Sequence, residues 1–460
     1  ALRRQLEAQN ALWGTTIVME VHTGEILAMV NLGRNADGSF AERENYALGR
    51  SMEPGSTFKL ATMLTLLDDA RMPVSTVYDT HNGDPVTVGP ARNIRDSHRG
   101  DREIDFRRAV ASSSNVYFAK AIWDRYGSTG RKQEYSDFLH KELHLGQTVG
   151  LERLGERKPS VTTDWKVPDP GVMLVKMSYG YRVRLAPIQM ITFYNAIANN
   201  GTMVRPKFVK AAVKDGEVVH EFPTEVINPK ICSDHTLTQI REILHKVVSE
   251  GLAKPAGSKQ FAVAGKTGTA QISQGAAGYK AGRVNYLVSF CGYFPAEAPK
   301  YSCIVSIQKP GLPASGGLMA GSVFSKIAER VYAKNLRFDI RSAIDSTTNV
   351  IPTVKAGEMN EALYVLDALD VPVQKQFEAK KGQELWGHSQ AAPSAVILQN
   401  QKSSAGIVPS VVGMGAKDAV YLLERKGLRV RLNGVGKVRS QSIPGGSRLV
   451  RGQTISLTLH

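Results

Sequence analysis

At 460 residues, 42% hydrophobic and 22% charged, the chain is too long for one ordinary core and too apolar for a disordered polymer, which predicts two or three globular domains. No run approaches the ~20 apolar residues of a membrane span, and three cysteines (Cys232, Cys291, Cys303) exclude a disulfide framework and lack the paired spacing of a zinc site. A formal net charge of +16 allows an anionic partner or surface, but the basic residues are not interleaved with aromatics, which argues against nucleic acid.

In chain order, the opening "ALRRQLEAQNALWG" reads as the tail of a helix entered in its middle, so any membrane anchor is expected upstream. "TTIVMEV" and "ILAMVN", rich in β-branched residues around the turn "HTGE", predict a β-hairpin. "EPGSTFKL" (53 to 60) then breaks the chain at Pro54-Gly55 and starts a nearly uncharged run, "STFKLATMLTLL", that predicts a helix buried on most faces. Ser56 falls in its first turn, where unpaired amides favour negative charge on oxygen. Lys59, three residues on, shares its face. A lysine on so apolar a helix is the anomaly, although Ser-x-x-Lys is common by chance and Ser306 to Lys309 matches it too.

"IDFRRAVAS" predicts a helix ending at "SSSNVY", where Ser113, Ser114 and Asn115 read either as helix caps or as a second hydroxyl and an amide. "HKELH" sets His140 and His144 at a spacing able to bind metal, without the His-Glu-x-x-His order, so an exposed helix end is the better reading and no metal or cofactor is expected. Two long helices follow in "PIQMITFYNAIANNG" and "LTQIREILHKVVSEG". "AGKTGTAQ" places Lys266, Thr267, Gly268 and Thr269 in a strand pattern, with the glycine allowing close approach of a ligand or backbone. "QGAAGYKAG" reads as a hairpin loop beside the cleft. "VNYLVSFCGYF" and "YSCIVSIQ" predict an antiparallel pair, with Cys291 and Cys303 as either a cross-strand disulfide or two buried small hydrophobes.

Past Ala343 the texture changes. "IPTVKAGEMNEALYVLDALDVPV" (351 to 373) aligns without gaps to "VPSVVGMGAKDAVYLLERKGLRV" (408 to 430) at an offset of 57, which predicts two tandem modules. Residues 346 to 403 carry net charge −1, residues 404 to 460 carry +7, and residues 1 to 345 carry +10.

Ser-x-x-Lys, Ser-x-Asn and Lys-Thr-Gly in this order are the signature of penicillin-binding proteins and serine β-lactamases. Residues 13 to about 335 resemble the transpeptidase domain of a penicillin-binding protein on "EPGSTFK", "SSSN" and "KTGTAQ". "HTGEILAMV", "SYGYRVRLAPIQ" and "NNGTMVRP" resemble the class B, monofunctional, division-type members. The tandem units resemble PASTA modules, the first departing from the pattern after Val373.

The resemblance implies a mixed α and β fold: a five-stranded antiparallel sheet covered by helices on both faces (domain 1–345), then a degenerate PASTA-like module (346–403) and a PASTA module (404–460). It implies a membrane-anchored enzyme on the outer face of the plasma membrane. Such an enzyme cross-links peptidoglycan stem peptides, is acylated by β-lactams, and works with cell-division and wall-synthesis proteins. Ser56 would be the nucleophile, Lys59 the base, Ser113 a proton relay and Asn115 a holder of the substrate amide and of Lys59. Lys266, Thr267 and Thr269 beside Gly268 would bind the terminal carboxylate, with the amides of Ser56 and Thr269 as the oxyanion hole. The competing readings are a β-lactam hydrolase or D,D-carboxypeptidase, disfavoured because no Glu-x-x-Leu-Asn segment follows Asn115, and a penicillin or muropeptide receptor without turnover.

Overall fold

The structure, a computed structural model, describes residues 1–215, 217–272, 284–339, 351–369, 371–378, 383–392, 395–401 and 404–460. The chain divides into two compact units, Ala1–Asn335 and Leu336–His460. The division falls upstream of the boundary expected after residue 345, which itself lies outside the described residues, as does the "QGAAGYKAG" loop.

The first unit is built on one sheet. The hairpin β1 (Trp13–Glu20) and β2 (Ile26–Arg34) comes from the start of the chain, with the two-residue β3 (Phe40–Ala41) beside it. From the far end come β4 (Ala264–Ile272), β5 (Asn285–Phe294) and β6 (Tyr301–Gln308). The order is β4-β5-β6-β1-β2-β3, antiparallel throughout, so six strands stand where five were expected. The sixth follows from a local turn: Asp37 Oδ1 accepts from the Ser39 amide at 2.9 Å and folds the chain back onto the end of β2.

Helices α2 (Lys59–Leu64), α3 (Phe106–Ala111), α4 (Asn115–Ile122), α5 (Pro187–Ala198) and α6 (Asp234–Ser249) lie between β3 and β4 in sequence. Helix α1 (Leu2–Ala8) precedes the sheet and α7 (Ser322–Asp339) follows it. Strand alternation puts Gly14 and Phe290 on one face, where Leu2 and Leu6 of α1 pack over Gly14 and the Phe290 ring meets Phe324 of α7 at 4.6 Å. The other face carries α5, whose twelve residues are all buried. That burial is uncommon for a helix with an asparagine in it. Asn195 resolves it by donating to the Val21 carbonyl at 2.8 Å and accepting from Ser302 Oγ at 2.7 Å, which ties the helix to both ends of the sheet's sequence.

Cys291 and Cys303 are free and buried. Cys291 lies opposite Ile304 and Cys303 opposite Gly292, a one-residue offset that sends the thiols to opposite faces and leaves no bridge to form.

The second unit repeats one topology. Helices α8 (Met359–Ala368) and α9 (Ala416–Arg425) start and end 57 residues apart, matching the sequence offset. Each is followed by a strand, β7 (Val373–Lys375) or β10 (Arg429–Asn433), and by an antiparallel pair, β8 (Trp386–Ala391) with β9 (Val396–Asn400) or β11 (Val438–Gln441) with β12 (Thr454–Leu459). In both copies the first strand pairs in parallel with the last, Val373 opposite Val396 and Val430 opposite Ile455. Glu384 joins the copies by accepting from Arg425 at 2.5 Å and from the Tyr421 hydroxyl at 3.2 Å.

Candidate active site

The turn at Pro54-Gly55 runs into a short 3-10 segment, Gly55–Phe58, then α2, then a wider π turn, Thr65–Asp69, in place of one uniform helix. Ser56 sits in the first turn and is half-buried, while Lys59 is wholly buried. Two glycines hold this turn. The Gly55 amide donates to the Gly180 carbonyl at 3.1 Å, and a Cβ on Gly180, whose φ is +86°, would lie 1.9 Å from the Gly55 oxygen. On β4, a Cβ on Gly268 would lie 3.0 Å from the Pro54 oxygen and 3.1 Å from Thr57 Cγ2. Ser289 Oγ on β5 would lie closer still, at 2.4 Å, so the close approach that the sequence assigns to this glycine is made by the protein's own β5 and Ser56 turn.

The second wall is the junction of α3 and α4. The Ser113 amide donates to the Val110 carbonyl and the Ser114 amide to the Ala109 carbonyl, at 3.1 and 2.9 Å, closing α3 in a Schellman motif. Glycine is the usual residue at the left-handed position of that motif. Here it is Ser113, at φ +57°, a backbone state that costs a side-chain-bearing residue ~1 kcal/mol or more. Ser114 then caps α4, its Oγ accepting from the Tyr117 amide at 3.1 Å. In "SSSN" the cap is therefore Ser114, while Ser113 and Asn115 turn to Lys59.

Lys59 Nζ lies 2.5 Å from the Ser113 carbonyl oxygen, 3.2 Å from Ser113 Oγ and 2.7 Å from Asn115 Oδ1. Lys266 Nζ donates to the same Ser113 Oγ at 2.9 Å. The donors of the Lys59 side chain thus go to Ser113 and Asn115 rather than to Ser56 Oγ, which makes no hydrogen bond among the described residues. Burial holds the Lys59 amine well below the usual lysine value, the positive charge of Lys266 pushes it further down, and Asp96 acts in the opposite sense. Burial alone brings Lys266 down to about 7. Two wholly buried lysines share one hydroxyl, an arrangement compatible with at least one uncharged amine near neutrality.

Strand alternation sends Thr267 and Thr269 to the face of β4 opposite Lys266, where Thr269 Oγ1 accepts from the Gly316 amide at 3.2 Å. β4 is the edge strand of the sheet. The Gln271 amide points away from β5 and donates to the Tyr181 hydroxyl at 3.0 Å, so by alternation the Thr269 amide points out along the same open edge. The other Ser-x-x-Lys match separates here: Ser306 is buried inside β6, with Lys309 past its end. His140 and His144 each face a backbone carbonyl, of Val161 and Thr148.

Sequence reasoning missed three contributors. Gly180 props the Ser56 turn, Tyr181 caps the strand edge, and Asp96 accepts from the first two amides of α4, Asn115 at 2.5 Å and Val116 at 2.9 Å. "SYGYR" signals the first two only through resemblance; nothing in "RNIRDSHRG" signals Asp96.

The model of the penicillin-binding protein transpeptidase domain matches residues 14–329. The chain belongs to the penicillin-binding protein transpeptidase family. Residues 406–460 match the PASTA domain. The chain is 28% identical over 336 residues to the probable peptidoglycan D,D-transpeptidase PenA of Neisseria meningitidis, covering 71% of this chain and 53% of that protein. It is also 28% identical over 326 residues to stage V sporulation protein D of Bacillus subtilis, covering 68% and 48%. The chain thus spans about half the length of the curated relatives it matches. Among solved structures, the transpeptidase domain of Burkholderia pseudomallei penicillin-binding protein 3 superposes with a TM-score of 0.59 at 27% identity, over 72% of this chain and 91% of that one. Penicillin-binding protein 2X of Streptococcus thermophilus shares the fold across 99% of this chain and 69% of its own, with a TM-score of 0.62 at 20% identity. The mixed α and β fold expected from the motifs is thus that of the penicillin-binding proteins.

Proposed function

We propose that this protein is a serine D,D-transpeptidase of the class B type, which cross-links peptidoglycan stem peptides at the cell envelope and is acylated by β-lactams. The observation that carries the reading is the contact of Lys59 and Lys266 with one Ser113 hydroxyl beside the Ser56 turn.

Ser56 Oγ attacks the carbonyl between the two terminal D-alanines and its proton passes to the uncharged Lys59 amine. The amides of Ser56, in an unpaired first turn, and of Thr269, on the open edge of β4, receive the developing oxyanion. When the intermediate collapses the C–N bond breaks, and the proton returns from Lys59 through Ser113 to the departing D-alanine amine. An amine of a neighbouring strand then attacks the acyl-Ser56 ester and repeats the sequence in reverse. Thr267 and Thr269 reach the terminal carboxylate from one face of β4 and Lys266 from the other, across the Gly268 edge, and Asn115 holds the donor amide and Lys59. In a β-lactam the broken C–N bond stays tethered, so the leaving amine blocks the acceptor and the acyl-enzyme persists. The second unit is a tandem PASTA array, its first copy degenerate, and the enzyme acts with division and wall-synthesis proteins.

Intact-mass measurement after benzylpenicillin, with peptide mapping, tests this. The expected result is one adduct, on Ser56, that lasts minutes or longer. An adduct on another serine refutes the site, and hydrolysis within seconds refutes transpeptidation in favour of a lactamase.

A further inference from the structure

The mechanism leaves one charged side chain at the site unused. Asp96 follows the strand residues Ala91–Ile94 on an arm fixed at several points: Ile94 lies opposite Val86, and the Asp96 amide donates to the Gly83 carbonyl at 3.0 Å. From that arm, Asp96 Oδ1 accepts from the amides of Asn115 and Val116, at 2.5 and 2.9 Å. Next to it, the Arg95 carbonyl accepts from Asn115 Nδ2 at 2.9 Å. With its NH2 group turned to Arg95, the Asn115 amide has only its oxygen to offer Lys59, which it meets at 2.7 Å. The arm therefore fixes both the backbone and the side-chain orientation of Asn115. Because Ser113 is two residues upstream on the same connection, it is held as well.

The charges around Lys59 come from two directions. Lys266 on β4 opposes its protonation and Asp96 favours it, while α4 contributes the Phe118 ring, 5.7 Å from Nζ, and the neutral Asn115, and the turn before it the neutral Ser113. Near Asp96 in sequence, Arg99 is taken up by Asp84 in a 2.6 Å ion pair, leaving Arg95 and His98 as its ionisable neighbours on the arm.

We propose that Asp96 is a positioning residue for acyl transfer: it locks the start of α4 so that Ser113 and Asn115 meet Lys59, and its negative charge offsets Lys266. This rests on the transpeptidase reading above. The role differs from that of an ordinary helix cap because it couples one carboxylate to both geometry and proton affinity.

The test is the pH dependence of Ser56 acylation by a fluorescent penicillin in the full chain and two variants. Asp96→Asn keeps an oxygen for the two amides but removes the charge. Its rising limb is expected to move to lower pH by about one unit, because Lys59 loses the group that favours its protonation. Asp96→Ala also loses the acceptor, and its plateau acylation rate is expected to fall by about tenfold to a hundredfold. A midpoint in Asp96→Asn that is unchanged or raised overturns the charge role. A folded Asp96→Ala protein with the wild-type plateau rate overturns the positioning role. If Asp96→Ala does not fold, Asp96→Asn and its plateau rate decide alone, a wild-type profile overturning the proposal. Absence of any adduct on Ser56 in the wild-type chain is a separate outcome, which sinks the parent reading instead.

Discussion

Lys266 and Ser113, 153 residues apart in the chain, are joined by a 2.9 Å hydrogen bond to the oxygen that Lys59 also meets, at 3.2 Å. This bond sets a charge beside the amine that must accept a proton. Replacing Lys266 by methionine keeps the volume and removes the charge, so Lys59 becomes easier to protonate. The rising limb of the acylation profile in Lys266→Met is expected at higher pH than in the wild type. Stopped-flow acylation by a chromogenic cephalosporin across pH 5 to 10 checks the direction, which is independent of the weaker carboxylate binding expected in the same variant.

The same lysine leaves a trace in stability. Its amine titrates at about 7 when folded, well below its unfolded value, so between those two pH values the unfolded chain binds a proton that the folded chain does not. Unfolding free energy therefore rises with pH across that window, by at most about 1.4 kcal/mol per unit from one group. Below pH 7 the full penalty of charging a buried amine is present. Urea titrations at pH 7 and 9 should show a smaller gain for Lys266→Met than for the wild type.

Ser56→Ala is expected to abolish labelling by a fluorescent penicillin while changing stability by less than about 1 kcal/mol, because the half-buried hydroxyl has no partner among the described residues. Lys59→Ala is expected to slow acylation by about a hundredfold to ten-thousandfold, the usual range for a lost general base. Labelling of either variant at the wild-type rate contradicts the assigned roles.

Ser113 separates activity from backbone strain. Ser113→Ala and Ser113→Gly both lose the shared hydroxyl and should both acylate slowly. Only the alanine variant keeps a side chain at φ +57°, so the glycine variant is expected to be the more stable of the two by about 1 kcal/mol. Equal unfolding midpoints would contradict this account of the turn.

Gly180→Ala tests the prop under the nucleophile. With only 1.9 Å between the new Cβ and the Gly55 oxygen, the Ser56 turn must shift or the loop must lift away. The expected cost is about 3 kcal/mol or more, with loss of penicillin labelling, read by thermal melts and gel fluorescence.

The strands, the long helices and the three polar motifs were legible in the sequence because each carries its own local signal: β-branched runs, the Pro187 and Asn200-Gly201 stops, and the Lys266-Thr-Gly triplet. The partners of Lys59 were not. Its spacing from Ser56 speaks only of a shared helix face, whereas its bonds depend on the left-handed turn at Ser113, which no rule places on a serine. Gly268 was legible as a point of close approach, but not the fact that Ser289, Pro54 and Thr57 make that approach. In the tandem modules the alignment fades after Val373, yet the parallel pairing of Val373 with Val396 repeats that of Val430 with Ile455. Backbone pairing constrains side chains only to a face, so the topology outlasts the sequence likeness.

The order of the sheet has a consequence for biosynthesis. Of this sheet's strands β1 is made first, but one of its two neighbours is β6, the last, and β4 reaches β1 only through β5 and β6. A nascent chain must therefore carry the β1–β2 hairpin with one bare edge until Gln308 has left the ribosome, exposed meanwhile to stray pairing. Penicillin labelling should accordingly appear only in translation products that extend through the first unit, and in none that stop before Gln308.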